Sequence, residues 1–193
     1  MVKAVLAAAG AELAAVDAIA FAAGPGAFTG LRIAAGAAQG LAFALDRPVV
    51  PVSTLAALAA GLRRTDHIPH GQTAHVVVVQ DARMNEVYAG DYRVCSSNVV
   101  ALRPDSVRPP EAVEWTQEPH PRIVLGSGLS YRERLPAALL KNALILEDVV
   151  YPHAQDVAQL ALKAFESGGL FAAEEAQPVY LRDEVAWKKI EQQ

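Results

Sequence analysis

Sulfur chemistry is almost missing from this chain: one cysteine, Cys95, and two methionines. A lone cysteine excludes an internal disulfide and suits a reducing compartment. Aromatic residues are scarce at 6%, and 17 Lys and Arg against 21 Asp and Glu leave a net charge of −4. That balance argues against a broad nucleic-acid-binding face, which requires clustered basic residues. Long hydrophobic runs are also lacking, so no membrane-spanning segment is expected. The apolar opening, Met1 to Ala9, is cut short by Glu12; Val2, Val5, Leu6 and Ala9 fall on one helical face, which argues against an export signal.

What remains is an ordinary globular composition, 52% hydrophobic and 20% charged, in a chain of 193 residues that can form one large or two small domains. The order of elements is alternating α/β. Asp17–Ala23 reads as a buried strand, Phe28–Leu45 as about five turns of helix, and Val49–Val52 as a second strand. Ser53 or Thr54 can cap a helix over 55–62. The polar loop 63–73 marks a lobe boundary, with a first lobe over 1–73 and a second, with its tail, over 74–193. Strands are expected at 75–80, 86–95, 99–102 and 122–125. Between the last two lies a proline-rich loop, 104–121, with a short helix at 111–115. Further helices are expected from Tyr131, over 154–167 and in the charged tail.

The run Gly24-Pro25-Gly26-Ala27-Phe28-Thr29-Gly30 joins the first strand to the long helix. Such a loop can aim backbone N–H groups at an anion. It lacks the Lys-Ser/Thr of a P-loop, its glycines are spaced too widely for a dinucleotide fingerprint, and a tight strand-to-helix turn explains it as well. The helix is more telling. Its polar residues Arg32 and Gln39, followed by Asp46, form one narrow stripe, and the rest is Leu, Ile, Phe, Ala or Gly. Such a helix should be covered on both sides, either within one domain or by a partner protein. Gly36, Gly40 and Ala44 leave a shallow groove for a neighbouring helix.

No catalytic constellation is apparent. Cys95 has no histidine near it in sequence, and Ser127 lacks the Gly-x-Ser-x-Gly elbow. His67 and His70 lie in a proline-containing loop without a third ligand. Asp81 and Arg83 follow a strand at a turn, where they serve either a site or the turn itself. No metal or cofactor site is expected.

Five segments in order, Gly24–Gly30 with Leu31-Arg32-Ile33, Gln39-Gly40-Leu41-Ala42, Val52-Ser53-Thr54-Leu55, Asp81-Ala82-Arg83-Met84-Asn85-Glu86-Val87-Tyr88 and Tyr180-Leu181-Arg182-Asp183, strongly resemble the TsaB (YeaZ) family across nearly the whole chain. The resemblance implies an actin-like, two-lobed α/β fold related to sugar kinases and Hsp70, and a cytoplasmic protein. It implies a non-catalytic partner of TsaD in threonylcarbamoyl modification of adenosine in tRNA, with TsaE joining, a homodimer in isolation, and tRNA met only through the complex. An older label for such proteins is peptidase M22 homologue. The implied interface comprises Val2, Val5, Leu6, Phe28, Leu31, Arg32, Ala35, Gly36, Gln39, Gly40 and Phe43. Gly24, Gly26, Thr29, Gly30, Asp81 and Arg83 are family-motif residues without an assigned role. Family members usually open with a strand hairpin upstream of what is Met1 here, so the first lobe is expected to lack its opening strands. Ala27 stands where the family commonly has Ser. The turn Ala82-Arg83-Met84-Asn85 is bulky and lacks the glycine of a phosphate-wrapping hairpin, which favours a degenerate, non-hydrolysing fold. The alternative is an enzyme, a nucleotide-dependent kinase or a peptidase.

Overall fold

The computed structural model describes residues 2–69, 71–149 and 151–182. After a short helix α1 (Val2–Ala9), strand β1 (Ile19–Gly24) leads into helix α2 (Phe28–Leu45) and then strand β2 (Val49–Ser53). β1 and β2 pair in parallel, with Ile19 opposite Val49. Helix α3 (Thr54–Gly61) follows directly, and Ser53 is its cap: the Ser53 Oγ accepts from Ala56 N at 3.1 Å.

A second sheet takes the order β5-β4-β3-β6-β7. β3 (Thr73–Asp81), β4 (Val87–Cys95) and β5 (Asn98–Arg108) form an antiparallel meander, whereas β6 (Arg122–Leu125) and β7 (Leu144–Leu146) run parallel to β3. Between β6 and β7 lie a 3-10 segment, Ser127–Arg134, and helix α4 (Ala137–Leu140). The central position of β3 explains its composition. Val76 and Val78 pack with Leu55, Leu58 and Leu62 on one face; Val77 and Val79 pack with Leu135 and Leu139 on the other. A strand buried on both faces needs an unbroken apolar run, and Val76–Val79 supply it.

Helix α5 (Ala154–Glu166) returns to the first sheet, where Val157 and Ala161 pack on Val50, Val52 and Ala57. Asp156 is fully buried beside it and bonds Arg64 in two places, Nε at 2.9 Å and Nη2 at 2.6 Å. Phe171 then pairs with Val49 by two backbone bonds of 2.9 and 3.1 Å.

Several expectations change. β5 continues through Pro104 to Arg108, because it is an edge strand whose register with β4 breaks there, Arg103 opposite Asp91 and Ser106 opposite Ala89, and edges and bulges are where a sheet tolerates proline. The 104–121 segment therefore begins as strand, and its short helix is a 3-10 turn at Pro110–Ala112. The helix expected from Tyr131 is 3-10 from Ser127, and β7, three residues long, was not expected. Residues 178–182 are not helical; the remainder of the tail lies outside the described residues. α2 has 18 residues with a mean hydropathy of 1.2, long and apolar enough to cross a membrane by length and composition. It is nonetheless seated on β1 and carries Arg32 and Gln39.

One buried polar cluster ties the second sheet to the loop after β5. His75 Nε2 lies 2.6 Å from Asp91 Oδ1, and Thr116 N donates to Asp91 Oδ2 at 2.6 Å. Burial alone would push the Asp91 carboxyl up, but the bonds from His75 and Thr116 outweigh it and hold the group below the ordinary range. An ionised carboxylate only accepts, so the proton sits on Nε2 of His75. Because the folded-state value is depressed, the stability this group contributes is present above its unfolded value of about 3.9 and is lost as pH falls through the folded one. Asp91→Ala takes the acceptor from the buried His75 and from Thr116 N, and at about 1–3 kcal/mol for each donor left unsatisfied should cost about 2–6 kcal/mol in urea unfolding at pH 7. That difference should shrink as the titration is moved into the acid range.

Candidate functional site

The most distinctive surface is α2. Only Leu31, Ala35, Ala38 and Ala42 are buried, against Phe21, Ala23 and Val49 for the most part. Leu31 and Ala35, expected at a partner interface, face the chain's own core instead, since they share the helical face that lies on β1. The narrow polar stripe is held partly by the chain itself, although Arg32 and Asp46 remain exposed. Arg32 Nε donates to Tyr180 Oη at 3.2 Å, Gln39 Nε2 donates to Ala176 O at 3.0 Å, and Asp46 ends the helix in the left-handed conformation. Arg32 and Gln39 bind the returning 176–180 segment, and what is left uncovered is mainly apolar. Ile33 is 67% exposed, Phe43 84% and Phe28 55%. Gly36 and Gly40 lie exposed between them, with nothing within 4 Å of where a Cβ would stand. The expectation that α2 is covered on both sides is thus half met: the described residues cover one side and leave the other open.

α1 extends this character. None of its residues is buried, and Val2 and Val5 are 41% and 63% exposed. Helices that present apolar side chains without covering them mark interaction surfaces.

A cleft of about 870 Å³ lies where α2 meets the tip of the β3–β4 hairpin, lined among others by Phe28, Arg32, Asp81, Arg83, Ser127 and Tyr180. The glycine loop forms one wall. Gly24 has φ +130°, and a Cβ there would stand 2.6 Å from the Val179 carbonyl oxygen, so glycine is required by close approach of the tail. Ala27 gives the N-terminus of α2 no side-chain cap, and Thr29 and Gly30 are exposed beyond it.

The opposite wall is the turn after β3. Asp81 Oδ1 accepts from Arg83 N at 2.8 Å, and its other oxygen lies 3.2 Å from Arg83 Nη1. Arg83, Met84 and Asn85 are three successive non-glycine residues at φ +62°, +54° and +61°. Such a run is uncommon and has to be held by its surroundings. Asp81 does so from one side. Arg182 does so from the other, donating to Ala82 O at 3.2 Å and to the Glu86 carboxylate, with its other nitrogen 3.4 Å from Met84 Sδ. Arg83 itself points outward, its side chain 87% exposed.

The candidate nucleophiles are occupied structurally. Ser127 Oγ donates to Gln80 Oε1 and accepts from Asp81 N at 3.1 Å. The backbone beside it is closed, since a Cβ on Gly126 would meet Val79 O at 2.2 Å. Cys95 is half-buried in a hairpin; a bond with Ser97 and the nearby Lys163 charge lower its thiol, but no base adjoins it. His67 is exposed in its loop, and His70 lies outside the described residues. Among the described residues no group of three or more His, Cys, Asp or Glu could hold a metal ion. Tyr180, Arg182 and the exposed Tyr151 were not among the expected site residues; the signal was the Tyr180-Leu181-Arg182 segment, read only as a family motif.

Comparison with known proteins places this arrangement. A family model described as TsaD, tRNA N6-adenosine threonylcarbamoyltransferase, matches residues 1–189. The tRNA threonylcarbamoyladenosine biosynthesis protein TsaB of Escherichia coli is 36% identical over 98% of this chain and 81% of its own length. The TsaB of Haemophilus influenzae is 34% identical over 98% and 80%. Among solved structures, YeaZ from Pseudomonas aeruginosa superposes with a TM-score of 0.83 at 43% identity, covering 94% of this chain and 81% of that one.

If Ser127 is a tether rather than a nucleophile, a serine-directed fluorophosphonate should leave it unmodified, as intact-mass and peptide mass spectrometry will show. Stoichiometric labelling at Ser127 would reverse that assignment.

Proposed function

The chain belongs to the TsaB (YeaZ) family, with its mixed α/β, actin-like fold, and from that membership we propose that it is a non-catalytic scaffold for the transferase TsaD in threonylcarbamoyl modification of tRNA adenosine. The family model bears the transferase's name, whereas the relatives matched over 98% of the chain are TsaB proteins. The observation that carries the scaffold reading is the open apolar face of α2. A helix this apolar on its free side is satisfied by a second protein.

The docking residues proposed are Val2, Val5, Leu6, Phe28, Arg32, Gly36, Gly40 and Phe43, with Gln39 behind them holding Ala176. Ile33 joins them on exposure. The glycine groove admits a partner helix at close range, as small residues do wherever helices cross tightly. A second copy of this chain competes for the same face, giving a homodimer in isolation and a heterodimer with TsaD; TsaE joins the assembled pair. We propose two lobes meeting at the cleft, the second beginning near Ala74, with α5 and the 170–182 segment crossing back to the first. The single free Cys95 and a tRNA pathway accord with action in the cytoplasm.

Support for a non-catalytic role comes from the cleft. Asp81, Ser127 and Arg182 are engaged in holding one turn, and that turn is built of Arg83, Met84 and Asn85 rather than of small residues able to wrap phosphate.

Gly40→Trp fills the groove. It should leave the circular dichroism and Tm near those of the parent, because nothing adjoins that position, yet abolish both dimerisation by light scattering and TsaD capture. Unchanged assembly with an intact fold would move the interface elsewhere. Alone, the chain should bind tRNA no better than the non-specific range of about 10⁻⁴ to 10⁻⁶ M at physiological salt, measured by filter binding across a salt series. Nanomolar affinity with a steep salt slope would instead assign it a direct RNA surface, with Arg63, Arg64, Lys188 and Lys189 the first residues to test.

A further inference from the structure

The segment 179–182 touches both sides of the cleft within four residues. At its start, Val179 N donates to Ala23 O at 2.7 Å, fastening it to the end of β1. Next, the Tyr180 ring lies 5.6 Å from the Phe28 ring, and its hydroxyl takes the bond from Arg32. Arg32 in turn lies 4.0 Å over the opposite partner of that pair, the Phe28 ring. At its end, Arg182 holds the strained turn at Ala82, Met84 and Glu86 on the second sheet.

We propose that residues 179–182 are a clasp that ties the exposed face of α2 to the Ala82–Glu86 turn, with Tyr180 completing the partner-binding surface and Arg182 setting where Tyr180 stands. The proposal rests on α2 being the docking face. Phe28 and Tyr180 are 55% and 44% exposed, so each covers part of the other and both present ring area outward beside Arg32. Aromatic and arginine side chains clustered in this way are the common anchors of protein interfaces. A partner seated on them contacts a surface assembled from two distant stretches of chain. That surface exists only while the clasp is fastened at both ends. Binding therefore favours the fastened state, and the fastened state holds the Arg83–Asn85 turn in its left-handed conformation. Coupling of this kind is reciprocal: whatever stabilises the turn strengthens binding at α2. Arg182 is a positioning residue here, since it acts through Tyr180 and does not lie on α2.

The test uses the full chain with TsaD from the same organism. Arg182→Ala should weaken TsaD binding roughly five- to tenfold in calorimetry, the lower range of measured couplings. Tyr180→Ala should do the same, while Tyr180→Phe, which keeps the ring, should stay within about twofold of the parent. Hydrogen exchange in the free chain supplies a readout that a local role would not move. Tyr180→Ala should speed exchange at the Ala82 and Glu86 amides, and Arg182→Ala should speed it at Val179. Parental affinity and exchange in Arg182→Ala would overturn the clasp, as would faster exchange without any loss of affinity. Should Arg182→Ala fail to fold, Glu86→Ala severs the same attachment and is read the same way. A parent chain that fails to bind TsaD sinks the docking premise, and with it the interface role of Tyr180; cross-cleft exchange then decides whether the two ends are coupled at all.

Discussion

A helix without a polar face has to be covered on all sides, and the architecture of this chain follows from how it meets that demand for α3. Leu55 and Leu58, with Leu62 just beyond the helix, go to the second sheet while Ala57 goes to the first-sheet cluster with Val50, Val52 and Val157. The helix is thus the shared wall of two cores. Its remaining residues are small, and that lets α5 close the last side, with Gly61 only 3.4 Å, at its Cβ position, from the Asp156 carboxylate. Apolar burial at roughly 25 cal/mol per Å² rewards such a shared wall twice over, once for each sheet. α2 has nearly the same composition and meets the demand only in part. Its core-facing side is satisfied by β1, Arg32 and Gln39 by the 176–180 segment, and its third side by nothing among the described residues. The contrast between two alanine-rich helices, one enclosed and one open, separates the folding problem from the binding problem.

Much of this was legible in the residues. The limits of α2, β6 and α5 follow from breakers and periodicity: Gly26 and Pro48 bracket α2, Gly126 ends β6, and Gly168 closes α5 with φ +81°. The Val76–Val79 run announces a central strand by being apolar at both parities. β5 was cut short at Leu102 because Pro104 reads as a breaker, and sequence does not say that a strand is at an edge. β7 has three residues, too few to show any period.

The site was harder to read for a different reason. Arg32 and Gln39 were correctly placed on one stripe, but periodicity cannot tell whether a stripe meets water or another part of the chain. Here it meets residues 137 and 148 positions away. Leu31 and Ala35 were assigned to the partner side because an almost uniformly apolar helix carries no mark of which face lies on its own sheet. Asp81 was legible as a turn residue, yet the left-handed run that follows it was not. Arg83 and Met84 have no intrinsic preference for that conformation, which is held by contacts from Asp81 and Arg182.

The Arg64–Asp156 pair, whose carboxylate is fully buried, joins positions separated by 92 residues. During synthesis the two-stranded first sheet and α3 leave the ribosome long before α5 exists to cover them. At about 5–20 residues per second, that interval is on the order of 5–20 s. For that time Val50, Val52 and Ala57 have no lid, and a cell that makes this protein must keep the emerging chain from using those side chains on a neighbour.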